Sequence, residues 1–427
     1  MRVPVGPGGK GNCMADGIEN EDIQYACGFI RRVCVDIGPG SPCSPQERAR
    51  ALAIQTEMDK VTDGTAAEDF SCAPGAFLQW FPFAATLSVV AAFFYYLGLL
   101  PKFPLLFTSL ALAIEIFIVL ILILEFFLFR EFIDGLYPRK PSVNIIGTIR
   151  PKNRKTTGRI LIFGGHHDSA LQFNYLRYFK NGYFIAEGIL IFGVVLFTMG
   201  ILTRWIELVF SLPWGWLVAA FPWYMWIFLP VCVFIGFTFT EREKNGGSVP
   251  GAIDNLSAVS ILLMIGRVLK RRPELIPADT EIRLITFGCE EAGTRGSRAY
   301  VSAHEAELRA ADAVFVNLES IYDPEIEIFT SDRNGTLPNS PDVVRGLAQA
   351  AQAVGAPSRI SHFPFAGGGT DALSFREKGI RAGCLFSMKI PSQMVKFYHQ
   401  PSDNYDMVNP AALQNAAQIA LEYIRRF

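Results

Sequence analysis

The sequence is poor in charge for its length. Asp, Glu, Lys and Arg make up 19% of its 427 residues, and they nearly cancel to a formal net charge of −1. No run of basic residues occurs, so the chain lacks the positive stripe with which proteins bind nucleic acid. We therefore expect no nucleic-acid partner.

Cysteine motifs and a secretory signal are also missing. The eight cysteines include no CxxC pair. Cys27, Cys34, Cys43 and Cys72 lie near the front, where they can pair as disulfides or remain free thiols, and the sequence leaves both readings open. The opening residues lack the continuous apolar core of a cleaved signal peptide, and residues 1–16 are predicted to be a disordered leader.

Apolar residues, by contrast, are in excess. Half of the chain is hydrophobic, with 35 Phe. A helix needs ~20 apolar residues to cross the ~30 Å hydrocarbon core of a bilayer, and core helices seldom run that long without a polar face. We therefore predict an integral membrane protein embedded in the lipid bilayer, with four spans in two hairpins. The spans lie at roughly 81–100, 104–129, 183–203 and 215–239. The third and fourth are joined by RWIELVFSLPWG, whose Trp and Pro residues favour an interfacial turn.

The rest of the chain alternates short apolar runs with amphipathic stretches. This alternation predicts an α/β fold with a mixed, largely parallel sheet that is covered by helices on both faces. The predicted strands are 142–149, 159–165, 281–288, 313–319 and 381–387. The predicted helices are 17–36, 44–60, 254–271, 296–311, 340–354, 371–378 and 410–426.

The membrane hairpins interrupt this soluble domain twice. Its pieces are an N-terminal helical part (17–76), the first strands (131–182) and the remainder (241–427), and the hairpins occupy 77–130 and 183–240. Each hairpin must return the chain to the same side of the bilayer, because the soluble pieces fold together. Basic residues flank the spans mainly on that side, so the positive-inside rule predicts that the soluble domain is cytoplasmic.

Potential metal ligands follow one predicted strand after another. His166 and Asp168 come after 159–165, Glu290 and Glu291 come after 281–288, and Glu319 ends 313–319. Each alone has an ordinary explanation, since paired Glu residues usually form a solvated surface. Ligands of open α/β sheets collect at the carboxyl ends of strands. Together these groups predict a carboxylate and imidazole site for zinc or a similar divalent cation.

Five motifs carry a resemblance to a known family. In chain order, HHDS, GAIDN, CEEAGTRGS, NLE and YHQPSDN resemble the motifs of the co-catalytic zinc aminopeptidases. That family includes bacterial leucyl aminopeptidases, glutamate carboxypeptidase II and the glutaminyl cyclases. The resemblance covers roughly residues 17–75 and 140–427, and the membrane hairpins lie outside the usual family pattern.

The resemblance implies a site for two zinc ions, in which one carboxylate bridges the metals. The implied metal ligands are His166, Asp254, Glu291, Glu319 and His399. Asp254 takes the bridging position, His166 and Glu319 serve one ion, and Glu291 and His399 serve the other. Asp is commoner in the family where this chain has Glu319, so a single-zinc site remains the alternative.

The resemblance also implies the residues that act on substrate. Glu290 is expected to be the general base that activates a metal-bound water, while Asp168 orients His166. Asp371 and Tyr398 are expected to contact substrate, although packing explains Tyr398 equally well.

The resulting functional hypothesis is a membrane-integral zinc aminopeptidase acting on peptide substrates. The alternatives are a glutaminyl cyclase, an N-acyl amino acid amidase, or a non-catalytic peptidase-like membrane module. Because a membrane hairpin follows the strand that carries His166, substrates are expected to arrive from the membrane surface. The sequence gives no oligomeric state.

Overall fold

The computed structural model describes residues 17–151, 158–241 and 247–427, with the main chain alone at 215–220. The predicted disordered leader lies outside these residues. The described chain divides into two compact units. The sheet unit comprises the described parts of Met1–Pro74, Arg139–Leu171 and Gly246–Phe427. The helical unit comprises Gly75–Pro138 and the described parts of Gln172–Asn245.

The helices and strands of the described chain have the following bounds. The helices are α1 (Asn20–Arg32), α2 (Pro45–Met58), α3 (Pro74–Leu78), α4 (Trp80–Leu97), α5 (Pro104–Ile121), α6 (Asn174–Phe179), α7 (Gly182–Phe210), α8 (Gly215–Thr238), α9 (Leu256–Arg271), α10 (Arg295–Ala310), α11 (Pro341–Val354), α12 (Ala372–Glu377), α13 (Met394–Phe397) and α14 (Pro410–Arg426). The strands are β1 (Gly64–Cys72), β2 (Lys140–Ile149), β3 (Arg159–His166), β4 (Thr280–Phe287), β5 (Val314–Glu319), β6 (Ile326–Phe329), β7 (Ser331–Asp332), β8 (Leu337–Pro338), β9 (Ser358–Ser361) and β10 (Arg381–Phe386).

Eight of these strands form one mixed sheet in the order β1-β2-β4-β3-β5-β10-β6-β9. The four central strands, β4, β3, β5 and β10, run parallel to one another. Antiparallel pairings join β1 to β2, β2 to β4, and β10 to β6. The predicted α/β fold with a mixed, largely parallel sheet is confirmed.

Both faces of the central strands are buried. Leu161 and Phe163 of β3 pack into one apolar core together with side chains of α1, α9 and α14. Ile160 and Ile162, which point the other way, pack into a second core with Tyr300 and other side chains of α10 and α12. This alternation is the period of two expected of a strand. Apolar burial on both faces is typical of parallel strands.

The sequence prediction missed the edge strand β1. Its sequence, GTAAEDFSC, has few of the β-branched and aromatic residues that favour strands, and most of its side chains are exposed. Its partner decides its conformation, because β1 pairs antiparallel with β2 along its whole length, from Gly64 opposite Thr148 to Cys72 opposite Lys140. Tertiary pairing thus overrides weak local preference here.

The helical unit contains four helices that are long and apolar enough to cross a membrane: Trp80–Leu97, Pro104–Phe127, Gly182–Phe210 and Phe221–Thr238. One expectation for this unit was wrong. The turn was expected over the whole of RWIELVFSLPWG, but its first part, RWIELVF, continues helix α7 as far as Phe210. Its residues have no helix breaker, and the helix ends instead at Ser211, in the left-handed conformation ahead of Pro213.

Candidate active site

The ends of three neighbouring parallel strands bring the predicted site residues together. His166 is the last residue of β3 and Glu319 is the last residue of β5, on one side of it. Glu290 and Glu291 follow the end of β4, on the other side. The pairing of these strands therefore brings residues that are far apart in sequence together at the carboxyl edge of the sheet.

Asp254 lies at the centre of this cluster and faces two histidines. Its Oδ1 lies 3.2 Å from His166 Nε2, and its Oδ2 lies 3.3 Å from His399 Nε2. Each histidine has a second carboxylate beside it. Glu319 Oε1 lies 3.5 Å from His166 Nε2, and Glu291 Oε2 lies 3.3 Å from His399 Nε2. The arrangement is two imidazole and carboxylate pairs that share Asp254.

The imidazole nitrogens and carboxylate oxygens of this cluster are suitable ligands for a bound cation. Glu291 Oε1 is buried and has no hydrogen-bonding partner among the described residues, which is costly unless a positive charge compensates it. Ligand atoms of His166, Asp254 and Glu291 all lie within 4.8 Å of one another. Imidazole nitrogens and carboxylate oxygens without thiolate suit zinc and similar divalent ions.

The pKa shifts of the carboxylates and of His399 in this cluster indicate the same need for positive charge. Burial raises the pKa of Glu319 to about 8 and that of Glu290 well above its ordinary value. Burial alone would lower the pKa of His399, but Glu291 and Asp254 beside it raise that pKa to about 9. Without a cation the cluster therefore retains protons, which a bound metal ion would displace.

The adjacent residues Glu290 and Glu291 point to different partners. Glu290 Oε2 lies 3.8 Å from His166 Nε2, whereas Glu291 turns to His399. The main chain between them is held by Asp168, whose Oδ1 and Oδ2 accept the backbone N–H groups of Glu290 and Glu291, both at 3.0 Å. Asp168 Oδ1 also lies 3.4 Å from His166 Nδ1. One buried carboxylate thus lies beside a histidine and accepts hydrogen bonds from the loop that carries both glutamates.

Asp403 is a site residue that the sequence reasoning did not single out. Its carboxylate accepts the backbone N–H groups of Ile253 at 2.7 Å and of Asp254 at 3.1 Å, which holds the main chain of the shared carboxylate. Burial raises the pKa of Asp403 to about 8, and Asp254 nearby adds to the effect. The available signal was its place in the YHQPSDN motif, four residues after His399.

Asn255 supports the other side of the cluster. Its side-chain amide donates to Glu319 Oε2 at 3.1 Å and to the carbonyl oxygen of Leu318 at 3.0 Å. Asn317 also donates to Glu319 Oε2, at 3.3 Å. These bonds leave Glu319 Oε1 directed at His166. The longer Glu arm therefore reaches the histidine at this position.

The two predicted substrate contacts have different surroundings. Asp371 is fully buried at the start of α12, and this burial raises its pKa to about 7. Tyr398 stacks on the imidazole of His399, with ring centroids 3.9 Å apart and an interplanar angle of 21°. Stacking gives Tyr398 a packing role, and contact with substrate stays a prediction for both residues.

The family model of Peptidase family M28 matches residues 238–424. This region of the chain is therefore similar to peptidase family M28. It contains Asp254, Glu290, Glu291, Glu319 and His399, while His166 and Asp168 precede it. The resemblance to the zinc aminopeptidases that the motifs indicated is thereby confirmed.

Two curated relatives match part of the chain. Aminopeptidase YwaD of Bacillus subtilis is 32% identical over 175 residues, which are 40% of this chain and 36% of the relative. The probable lipoprotein aminopeptidase LpqL of Mycobacterium tuberculosis is 26% identical over 198 residues, which are 40% of this chain and 38% of the relative. The chain therefore matches less than two thirds of the length of either relative.

Solved structures share the fold at low sequence identity. A zinc aminopeptidase from Bacillus subtilis is similar with a TM-score of 0.53 and 17% identity, covering 95% of this chain and 94% of that one. A glutaminyl cyclase from Fimbriiglobus ruber is similar with a TM-score of 0.55 and 12% identity, covering 99% of both chains. At such identities the similarity establishes the fold alone, since one fold hosts several reactions.

Proposed function

We propose that the protein is a membrane-integral, zinc-dependent peptidase, and most simply an aminopeptidase that hydrolyses the N-terminal bond of peptides. The observation that carries the proposal is the shared carboxylate of Asp254, which directs one oxygen to each of two histidines at 3.2 and 3.3 Å. The family match over residues 238–424 supports the reaction class.

The metal ligands follow from the two donor pairs. His166 and Glu319 would hold one zinc ion, His399 and Glu291 would hold the other, and Asp254 would serve both. If one position stays empty, the same residues provide a single-zinc site. Bound zinc supplies Lewis-acid chemistry, which acidifies a water molecule and polarises the peptide carbonyl.

Glu290 is the general base in this proposal. Its Oε2 lies 3.8 Å from His166 Nε2, which is farther than Glu319 lies from His166, at 3.5 Å, and farther than Glu291 lies from His399, at 3.3 Å. Its carboxylate takes a proton from the attacking water and passes it to the leaving amine. Asp168 keeps Glu290 in reach by accepting the backbone N–H groups of the loop.

The helical unit is the membrane anchor, with its four candidate helices spanning the bilayer and the site on the cytoplasmic side. The second pair of candidate spans lies in the sequence between His166 and Asp254. Because the insertion links the sheet unit to a membrane anchor, we expect a preference for peptides that are apolar or attached to the bilayer. Equal turnover of soluble and membrane-attached peptides by the detergent-purified protein would contradict that preference.

The function is tested by a peptide assay on the unmodified protein and on two variants, Glu290→Gln and Glu291→Gln. Detergent-purified protein is incubated with peptides carrying free or acetylated N-termini, with and without a chelator, and the products are read by mass. Loss of single N-terminal residues from free peptides, blocked by the chelator, is expected. Glu290→Gln should abolish turnover while the metal content survives, because an amide cannot accept the proton.

The matched control is Glu291→Gln, which should lose both turnover and metal content because it removes a metal ligand. Retained activity in a pure preparation of Glu290→Gln would refute its role as the base. Equal metal loss from both variants would refute the division of roles between the two residues.

A glutaminyl cyclase is the second candidate, favoured by the likeness of the fold to the cyclase from Fimbriiglobus ruber. The same assay separates it from the peptidase. A peptide with N-terminal Gln would lose ammonia without losing a residue, whereas an amidase would release the acyl group of an acetylated substrate. No reaction despite bound metal would favour the non-catalytic membrane module.

A further inference from the structure

Three cysteines from separate parts of the sheet unit meet beside the loop that carries Glu290. Cys43 lies just ahead of α2, Cys72 ends β1, and Cys289 follows β4. Cys43 Sγ lies 3.3 Å from Cys289 Sγ and 3.6 Å from Cys72 Sγ. All three sulfur atoms lie within 4.8 Å of one another. We call Cys43, Cys72 and Cys289 the thiol cluster.

A buried carboxylate holds two members of the thiol cluster in place. Glu47 is 1% exposed, and it accepts the backbone N–H of Cys43 at 2.8 Å and that of Cys289 at 2.9 Å. Ser142 Oγ donates to the same carboxylate at 2.9 Å. The cysteines are therefore positioned by a hydrogen-bond network of the fold, and their approach does not depend on a bond between the sulfur atoms.

The spacing of the sulfur atoms is close to that of a metal site. Four thiolates around a tetrahedral zinc ion, at Zn–S bonds of ~2.3 Å, lie ~3.8 Å from one another. Two of the three sulfur distances here, 3.3 and 3.6 Å, differ from this by a few tenths of an ångström. A disulfide needs ~2.05 Å, and pairing any two members would leave the third thiol alone.

We propose that the thiol cluster is a second metal site, separate from the histidine and carboxylate centre, and that it binds a thiophilic divalent cation of the zinc and cadmium type. Each thiol that binds releases its proton to solvent, and a water molecule completes the coordination beside Cys43. Cys72 and Cys289 are buried, whereas Cys43 is half-buried, so the cation enters past Cys43.

A metal ion in the thiol cluster would stabilise the loop that carries Cys289, Glu290 and Glu291, which we call the base loop. Cys289 immediately precedes Glu290 and Glu291, so its bond to a metal ion would tie that loop to the end of β1 and to the chain ahead of α2. The three ligands come from three segments that are far apart in sequence. The site would therefore stabilise the loop without contributing any ligand to the centre at Asp254.

Cadmium is the probe that tests the proposal, because a thiolate-to-cadmium charge-transfer band in the ultraviolet reports sulfur ligands alone. The full chain is purified in detergent under reducing conditions, stripped of metal and titrated with Cd²⁺. We expect the band to appear and to saturate in the unmodified protein and to be lost in Cys43→Ser. The half-buried position of Cys43 tolerates this change of one atom.

Two controls separate this site from the centre at Asp254. Cys27→Ser, which alters a thiol outside the cluster, should retain the band. Asp254→Asn, which removes the shared carboxylate, should also retain it, whatever the peptidase activity proves to be. Absence of the band in the unmodified protein, or an unchanged band in Cys43→Ser, would overturn the proposal. A peptide linking Cys43 by a disulfide to Cys289 or Cys72 in freshly purified, unreduced protein would overturn it in favour of a disulfide.

Discussion

Substitution of Asp168 by Asn tests whether this carboxylate acts mainly by fixing the base loop. Its two oxygens accept the N–H groups of Glu290 and Glu291, both at 3.0 Å, in a fully buried position. Asn keeps the shape of the side chain but replaces one acceptor oxygen with an NH₂ group. Whichever way the amide turns, one of the two backbone N–H groups then faces a donor instead of an acceptor.

The size of the effect follows from the bond that is lost. A hydrogen bond to a charged group contributes about 1.5–3 kcal/mol, and a buried N–H left without an acceptor adds its desolvation cost. The loop relieves this by moving, which displaces both glutamates. Loss of such a supporting group typically costs ~10–100-fold in metal affinity or activity. We therefore expect Asp168→Asn to lower both zinc affinity and kcat by factors in that range.

The assay measures the two quantities separately. Zinc affinity is obtained by competition with a chromophoric chelator, and kcat is measured on an N-terminally free peptide at saturating zinc. Glu290→Gln provides the comparison, since it should lower kcat and leave zinc affinity near that of the unmodified protein. If Asp168→Asn bound zinc and turned over peptide at unmodified rates, the loop-fixing role would be refuted.

Two further predictions concern the protons of the site and the packing beneath it. In the metal-free protein Glu319 has a pKa raised to about 8 and His399 has a pKa raised to about 9, so both hold protons at lower pH. Because zinc must displace these protons, zinc affinity should rise with pH up to about 9 and then level off. A zinc affinity that does not change from about pH 6 to 9 would contradict this. A Cβ at Gly165 would lie 2.6 Å from Ala258 Cβ, so Gly165→Ala should destabilise the sheet unit by ~1–3 kcal/mol and lower Tm. Gly28→Ala, within α1 and with open space around it, should instead raise stability by ~1 kcal/mol, and an unchanged Tm in Gly165→Ala would show that the packing there can yield.

The sequence alone located the strands that carry the site, because their signal is local. Runs such as RILIFGG and EIRLITFG are apolar enough to be buried on both faces, and the ligand residues stand at or just beyond their carboxyl ends. The parallel arrangement of such strands places those ends at one edge of a sheet, so His166, Glu290 and Glu319 could be expected to meet. Length and apolar composition likewise predicted the four candidate spans, since a bilayer imposes a minimum length.

Contacts between distant segments were decided by the tertiary structure. Asp403 supports Asp254 from a position 149 residues away, and Glu47 holds Cys289 from a position 242 residues away. Glu47 has no local pattern that distinguishes it from an ordinary surface carboxylate, and Asp403 has only its place in the YHQPSDN motif. The thiol cluster is likewise assembled by the pairing of β1 with β2 and by the end of β4, and β1 had no clear strand signal of its own. Composition and periodicity describe a residue's immediate neighbours in the chain, whereas a hydrogen bond or a metal site depends on which segments the sheet brings together.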